Sequence, residues 1–235
     1  DTCDFYTNET IKGWYKDYIK TLLNHTNYYT GEKLVDSEAV FSWELSNEPR
    51  CTVDEFCKDD ILYNWAKEMS AYVKSIDPYH MVSVGDDGYQ EAARQDLPSS
   101  AYSGYYGVDF DKLMTIDTVD FGTPHMYVDQ WGFDLGDDDL EWIKRHAQTT
   151  SSADKPIIFE EFGLTDKTKR DAAYSDWLDI VTGDYYEGVE YQGFNYWMIA
   201  SYLDDGTLYQ DYDGYTVYGP EGIEKTDSTR TLMMN

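Results

Sequence analysis

Short apolar segments alternate with amphipathic helical segments along the chain, and this alternation restricts the possible folds strongly. Strands separated by helices are typical of a parallel sheet covered by helices. The sequence therefore predicts an α/β fold, and no linker or repeat divides residues 1–235 into smaller domains. Strands are predicted near residues 40–46, 80–84, 118–125, 156–161 and 191–197. Helices are predicted at residues 10–24, Ile61–Ile76, Leu140–Gln148 and Asp171–Val181.

The charge of the chain narrows the range of partners. Asp and Glu number 46 against 18 Lys and Arg, so the net charge is −28. This charge disfavours nucleic acid, which needs a basic surface, and it disfavours anionic membranes. No apolar run reaches the roughly 18 residues that a membrane span needs. The 23 tyrosines and 7 tryptophans predict an aromatic binding surface in addition to a core.

Polar and aromatic side chains gather where the predicted strands end. In parallel α/β folds the chemistry lies at the carboxyl ends of the strands, so these side chains are expected at one rim. They are Asn47, Glu48, His125, Tyr127, Glu161 and Trp197.

Two carboxylates on opposite sides of a cleft are what glycoside hydrolysis requires. Glu48 and Glu161 are separated by roughly three strand–helix–strand units, which places them nearly opposite each other in an eight-stranded barrel. Adjacent strand residues point in opposite directions, so only one of Glu160 and Glu161 can enter the cleft. The alternative is that these glutamates are solvated or salt-bridged surface residues.

Other chemistries fit the sequence less well. It contains no Gly-x-Ser-x-Gly nucleophile motif, no phosphate loop and no dinucleotide fingerprint. The acidic stretches 137–139 and 211–214 lack the spacing and closing Glu of a calcium loop. We therefore expect neither a cofactor nor a metal.

The three cysteines indicate one local disulfide. Cys51 and Cys57 lie six positions apart and are expected to be bonded to each other, with two free thiols as the alternative. Cys3 is then expected to be free or to lack its partner. The glycosylation sequons at Asn8 and Asn24 weakly support a secreted, extracellular protein.

Four ordered motifs occur along the chain: Trp43-Glu44-Leu45-Ser46-Asn47-Glu48-Pro49-Arg50, His125-Met126-Tyr127, Phe159-Glu160-Glu161-Phe162-Gly163 and Tyr196-Trp197. They resemble the motifs of glycoside hydrolase family five, clan A. Within that family the similarity is greatest to endo-β-1,4-mannanases of fungal and plant type, and it extends over nearly the whole chain. The resemblance implies a (β/α)8 TIM barrel and a retaining hydrolase.

The resemblance also implies roles for individual residues. Glu48 matches the family's acid/base and Glu161 its nucleophile. Glu161 should stay ionised and accept a hydrogen bond from Tyr127, whereas burial and the nearby negative charge should keep Glu48 protonated. Asp87 stands where a Glu is expected. The positions that match substrate-binding or supporting residues are Asn47, Arg50, Asp87, His125, Tyr127, Trp131 and Trp197.

The number of strands predicts an incomplete barrel. In the family that Glu48 resembles, the acid/base ends strand four, yet only about 39 residues precede its strand here. Three strand–helix units need roughly 90 residues or more. We therefore expect strands four to eight, with the first three strands missing and the last helix reduced to its opening at Thr229–Asn235. Such a chain should be poorly soluble or inactive unless a second polypeptide supplies those strands.

The function expected from the sequence is that of a secreted endo-β-1,4-mannanase. Its substrate would be mannan, glucomannan or galactomannan, cleaved with retention of configuration. Two alternatives use the same site with another specificity: an exo-β-mannosidase and an endo-β-1,4-glucanase. A third is a carbohydrate-binding relative without turnover, which the presence of both carboxylates disfavours.

Overall fold

The structure is a computed structural model that describes residues 3–52, 60–90, 100–183, 190–223 and 227–234. None of its helices is both long and apolar enough to cross a membrane. The helices are α1 (Asp4–Thr7), α2 (Glu9–Leu23), α3 (Ile61–Ile76), α4 (Phe110–Leu113), α5 (Val128–Trp131), α6 (Asp138–Ser152), α7 (Arg170–Thr182) and α8 (Asp227–Met234). The strands are β1 (Ser42–Glu44), β2 (Met81–Ser83), β3 (His125–Met126), β4 (Ile158–Phe159), β5 (Glu161–Phe162), β6 (Gly193–Phe194), β7 (Ile199–Ala200) and β8 (Val217–Tyr218).

The predicted strand segments lie side by side in chain order. β1 pairs with β2, β3 with β5 and β4 with β6, and all three pairings are parallel. Between β2 and β3, the amide of Asp120 donates to the carbonyl of Val82 at 2.8 Å, and the amide of His125 donates to the carbonyl of Asp87 at 3.2 Å. The α/β class with parallel strands is thus confirmed, and the carboxyl ends of these strands meet at one rim.

The helices agree with the sequence more closely than the strands do. α3 spans the predicted Ile61–Ile76, because Leu62, Trp65, Met69 and Val73 recur at helical spacing and are buried. α2 begins where the side chain of Asn8 accepts a hydrogen bond from the amide of Thr10 at 3.0 Å.

The regular strands are shorter than predicted. Their ladders cover only two or three residues each, and Glu160 separates β4 from β5. The stretch 86–117, predicted as one long loop, contains α4, and two further strands, β7 and β8, pair in parallel after the fifth predicted strand. Where only the opening of a last helix was expected, α8 packs against α7 and β8.

Aromatic side chains fill the space between the sheet and its helices. Trp65, Trp142 and Trp177 come from α3, α6 and α7, and none exposes more than 1% of its surface. Trp177 packs edge-on against Phe162, whose ring stacks on that of Phe159 at 4.7 Å. Each such burial contributes about 1.5–3 kcal/mol, so these rings are a main source of stability for the layer beneath the rim.

One predicted apolar surface is only partly buried. Ile19 and Leu23 of α2 are buried, but Trp14 is 67% exposed and Tyr18 is 61% exposed. Phe41, which precedes β1, is 63% exposed, and among the described residues no strand pairs with the outer edge of β1. An exposed aromatic surface therefore lies next to an unpaired strand edge.

The predicted disulfide between Cys51 and Cys57 is wrong. Cys51 is bonded to Cys3, with the two Cα atoms 5.3 Å apart, so Cys3 is not free. Helix α1 brings Cys3 to the segment that follows Glu48, where Tyr6 and Ile61 pack around the pair. The spacing of cysteines along the chain did not reveal this contact because folding brings distant residues together. Cys57 lies outside the described residues.

Candidate active site

A cleft of about 230 Å³ opens at the carboxyl ends of the strands. Its lining includes Glu48, Glu161, the cationic side chain of Arg50 and several aromatic side chains. Two larger depressions, of about 390 and 490 Å³, lie along α6 and do not contain this pair. The residues that line the cleft are Glu48, Arg50, Tyr127, Gln130, Trp131, Glu161, Trp197, Asp213 and Tyr215.

Glu48 is held by an unusual backbone conformation just beyond β1. Its φ is +46°, a value that non-glycine residues seldom adopt and that costs about 1–3 kcal/mol. Its amide donates to the carbonyl of Gly85 at 2.7 Å. Gly85 itself has a φ of +77°, and a Cβ there would meet the carbonyl oxygen of Ser46. The turn therefore needs glycine at position 85 and directs Glu48 into the cleft.

Glu161 is positioned by the pairing of β5 with β3. It lies opposite His125 in the parallel register, and the hydroxyl of Tyr127 donates to its Oε1, as predicted. The neighbouring Glu160 is not a lining residue, and its Oε2 lies 3.5 Å from Nε2 of His125. Strand alternation thus separates the two adjacent glutamates as expected.

The two carboxylates lie close together across His125. A carboxylate oxygen of Glu48, one of Glu161 and a ring nitrogen of His125 are all within 4.8 Å of one another. Nδ1 of His125 is 3.0 Å from Oε1 of Glu48 and 3.7 Å from Oε2 of Glu161. The fully buried imidazole therefore bridges the pair from below.

The charges of this group differ from the expectation for Glu48. Burial alone would lower the pKa of His125, but its contacts with Glu160 and Glu48 raise that pKa to about 10. Burial raises the pKa of Glu48, yet its hydrogen bonds with His125 and Asp87 outweigh burial, so the pKa lies below its ordinary value. Glu48 was expected to keep its proton. The cleft instead favours an ionised Glu48, because a cationic His125 lies beside it. The expectation did not include this counter-ion.

Tyr127 remains a hydrogen-bond donor at every physiological pH. Burial raises the pKa of its hydroxyl, and the hydrogen bond to Glu161 raises that pKa further. A protonated tyrosine stabilises the ionised form of the carboxylate to which it donates. This arrangement is suited to a Glu161 that reacts as an anion.

Arg50 links Glu48 to Asp87. Its Nη2 lies 3.0 Å from Oε2 of Glu48, and its Nε donates to Oδ2 of Asp87 at 3.0 Å. Burial raises the pKa of Asp87 to about 6, although Arg50 opposes this shift. Asp87 is fully buried, so it supports Arg50 and does not face the cleft. Asn47, also predicted as a site residue, is exposed beside Glu48 but does not line the cleft.

Two tryptophans form the walls of the cleft, as predicted. Trp131 is nearly buried, with its ring 6.3 Å from that of Tyr127. Trp197 is 41% exposed, and its indole nitrogen donates to Oδ2 of Asp213 at 2.8 Å. Exposed indole faces provide flat apolar surfaces that suit a sugar ring.

Three lining residues were not predicted as site residues: Gln130, Asp213 and Tyr215. Gln130 follows Tyr127 on α5, and the other two lie in or next to the acidic stretch 211–214. The sequence showed only that Asp213-Gly214-Tyr215 follows the last predicted strand in a loop. Their contacts with Tyr127 and Trp197, however, depend on the folded chain.

Among the described residues, one group could hold a metal ion. It consists of Glu48, His125 and Glu161, the same three side chains that form the paired carboxylates. They already contact one another, and Tyr127 donates to Glu161. The donor set of two carboxylates and an imidazole is thus equally explained by acid–base chemistry, which requires no metal.

Comparison with known proteins agrees with this geometry. The family model described as "GH family 5 beta-mannosidase-like" matches residues 1–207. Mannan endo-1,4-β-mannosidase F of Aspergillus clavatus is 35% identical over 215 residues, which are 92% of this chain and 45% of that protein. The chain therefore spans about half the length of this relative.

Solved structures give the same result. The endo-β-1,4-mannanase of Thermotoga petrophila superposes with a TM-score of 0.80 and 34% sequence identity. The superposition covers 99% of this chain and 51% of the Thermotoga petrophila chain. The endo-1,4-β-mannanase of Rhizomucor miehei also superposes with a TM-score of 0.80, at 32% sequence identity. This superposition covers 99% of this chain and 64% of the Rhizomucor miehei chain. Family match, fold and paired carboxylates together show that this chain belongs to the β-mannosidase-like members of glycoside hydrolase family 5.

Proposed function

We propose that this chain carries the catalytic pair of an endo-β-1,4-mannanase that hydrolyses mannan with retention of configuration. The observation that carries the proposal is the close approach of the Glu48 and Glu161 carboxylates, within 4.8 Å in a cleft with aromatic walls. Carboxyl groups about 5–5.5 Å apart are typical of retaining glycosidases, whereas inverting enzymes leave room for a water at about 6.5–9.5 Å. Family membership and the names of the relatives support mannan, glucomannan or galactomannan as substrate.

The proposed reaction has two displacements. In the first, the Glu161 carboxylate attacks the anomeric carbon while Glu48 gives a proton to the departing glycosidic oxygen. In the second, Glu48 takes a proton from water, whose oxygen attacks the anomeric carbon and releases Glu161. Glu48 must be protonated when the sugar is bound, so binding of the sugar must raise its pKa above the lowered value that the contacts with His125 and Asp87 give it.

We further propose that residues 1–235 act as one catalytic domain, the part of a (β/α)8 barrel with strands four to eight. The chain contains the strands that bear both carboxylates, yet the outer edge of β1 lacks a partner among the described residues. A barrel closes only when all its strand edges are paired. Strands from a further segment or a second polypeptide would pair with this edge and cover Phe41 and Trp14.

Secretion is proposed on chemical grounds. The disulfide between Cys3 and Cys51 would persist in an oxidising compartment, and a reducing cytosol would break it. The sequon at Asn24 lies on an exposed part of the chain, as a glycosylation acceptor must. The net charge of −28 suits an uncharged polysaccharide and no nucleic acid or anionic membrane.

The test is sugar release by the protein expressed from its complete reading frame. We expect reducing ends from mannan at a rate far above that from carboxymethyl cellulose, and NMR should show the β-anomer as the first product. Glu161→Gln is the matched blank and should abolish release. Preferential cleavage of carboxymethyl cellulose, or an α-anomer formed first, would refute the proposal.

A further inference from the structure

Tyr215 packs directly against the tyrosine that contacts Glu161. Its ring lies 5.0 Å from that of Tyr127 at an angle of 65°, an edge-on aromatic contact. Tyr215 exposes only 2% of its surface, although it contributes to the wall of the cleft. Neither displacement of the proposed reaction uses this residue.

Two polar side chains of α5 hold the Tyr215 hydroxyl. It lies 3.1 Å from Oδ1 of Asp129, to which it donates, and it accepts from Nε2 of Gln130 at 2.8 Å. Asp129 also accepts from the amide of Thr165 at 2.9 Å. Asp129 therefore links both the Tyr215 hydroxyl and the loop that follows Glu161 to α5, which follows Tyr127.

The rings of Tyr127 and Tyr215 pack closely against the backbone of Gly163. A Cβ at this position would lie 2.5 Å from Cδ1 of Tyr215 and 3.0 Å from Cε1 of Tyr127. Glycine therefore permits both rings to pack on the backbone two residues beyond Glu161. Any larger residue would displace at least one ring.

A buried arginine anchors the segment that carries Tyr215. The Arg170 side chain has no exposed surface and donates to the carbonyls of Leu164, Gly214 and Thr216 at 2.7, 2.7 and 3.3 Å. Leu164 follows β5, whereas Gly214 and Thr216 flank Tyr215. Arg170 thus fixes the position of Tyr215 relative to the strand of Glu161.

The geometry points to Tyr215 as a positioning residue that acts on Glu161 through Tyr127. By confining the Tyr127 ring against Gly163, it keeps the Tyr127 hydroxyl on the Glu161 carboxylate. This inference rests on the proposed function and deepens it, because it concerns the same carboxylate. It predicts that Tyr215 affects turnover without binding sugar.

The experiment compares variants of the full-length protein on whichever polysaccharide, mannan or carboxymethyl cellulose, the wild type cleaves. Tyr215→Leu should lower kcat by about 10- to 100-fold, since small misplacements of reacting groups have effects of this size. KM should change little, because Tyr215 acts on the position of Glu161 and not on the binding of sugar. Tyr212→Leu is the control: Tyr212 is 75% exposed on the same segment, so kcat should stay unchanged.

A double-mutant cycle tests whether the effect passes through Tyr127. In a Tyr127→Phe background, Tyr215→Leu should add less than about threefold, because coupled residues are not additive. If Tyr215→Leu fails to fold, Gly163→Ala replaces it and should cause the same loss of kcat at unchanged KM by displacing the rings.

Independent, multiplicative losses, or a raised KM with unchanged kcat, would overturn the inference. The proposed function is tested separately, by the activity of the Glu161→Gln control variant. If that variant is inactive while the Tyr215 and Tyr127 losses multiply, only the inference fails. If that variant remains active, the proposed function fails.

Discussion

At the residue scale, the adjacent Glu160 and Glu161 should differ greatly in their importance. Glu161 lies in the cleft and accepts from Tyr127, whereas Glu160 contacts only the far nitrogen of His125 among the groups of the site. Glu161→Gln should lower kcat by several orders of magnitude, because no nucleophile remains. Glu160→Gln should have a far smaller effect. Equal losses, measured on mannan at one pH, would contradict this assignment.

His125 makes stability depend on pH in a predictable direction. Its pKa is raised from about 6.5 to about 10 in the folded chain, so it stabilises the fold fully below pH 6.5. This contribution should be lost as pH rises from 6.5 through 10, as the folded imidazole deprotonates. The difference in Tm between wild type and His125→Gln should shrink over that range. His25→Gln, at an exposed position, should show no such trend, and a constant difference for His125→Gln would refute the charge assignment.

At the scale of elements, the disulfide ties α1 to the segment that follows β1. It closes a loop between residues 48 positions apart, which corresponds to about 3–4 kcal/mol of unfolding free energy in the chain-entropy treatment. Cys3→Ser and Cys51→Ser should therefore lower Tm by similar amounts, and the double variant should lower it no further. Peptide mapping without reduction should recover Cys3 linked to Cys51, and a Cys51–Cys57 peptide would contradict the structure.

The sequence predicted some elements better than others for a physical reason. The periodicity of its own apolar residues determines α3, so the limits of this helix could be predicted from the local sequence. A parallel strand is decided by its neighbours, and here the ladder hydrogen bonds extend over two or three residues of each apolar run. The helix at residues 10–24 was predicted, yet whether its Trp14 is covered depends on what packs beside it.

At the scale of the whole molecule, the open edge of β1 should determine how the isolated 235 residues behave. We expect this chain alone to bind a hydrophobic dye and to release little sugar, because the incomplete barrel that we propose would leave apolar surface and an unpaired strand edge in water. Co-expression with the first three strand–helix units of a family relative should reduce dye binding and raise activity.

Surface variants provide the matched control for this prediction. Trp14→Gln with Tyr18→Gln should reduce dye binding by the isolated chain, because both rings lie on the exposed face of α2. Tyr28→Gln with Tyr29→Gln, which changes two rings that are exposed on a loop, should reduce it less. A monomeric, fully active 235-residue chain without dye binding would show that the barrel needs no further strands.

The sequence by itself determined the α/β class, the family and the catalytic candidates. The class follows from apolar periodicity, the candidates follow from carboxylates at the ends of parallel strands, and the family follows from the resemblance of four ordered motifs. Glu48 and Glu161 could be paired from the order of the strands alone, since the topology of such folds brings strand ends to one rim. Strand alternation predicted that only one of Glu160 and Glu161 enters the cleft, and the resemblance to the family's motif selected Glu161.

Only the tertiary structure decided which distant residues touch. It joined Cys3 to Cys51, placed the His125 cation against Glu48 and packed Tyr215 on Tyr127. It also showed Asp87 to be buried behind Arg50. Each of these contacts links segments far apart in the chain, and its formation depends on the packing of whole elements. No spacing of residues along the sequence encodes such a contact, because its free energy arises only when the intervening chain has folded.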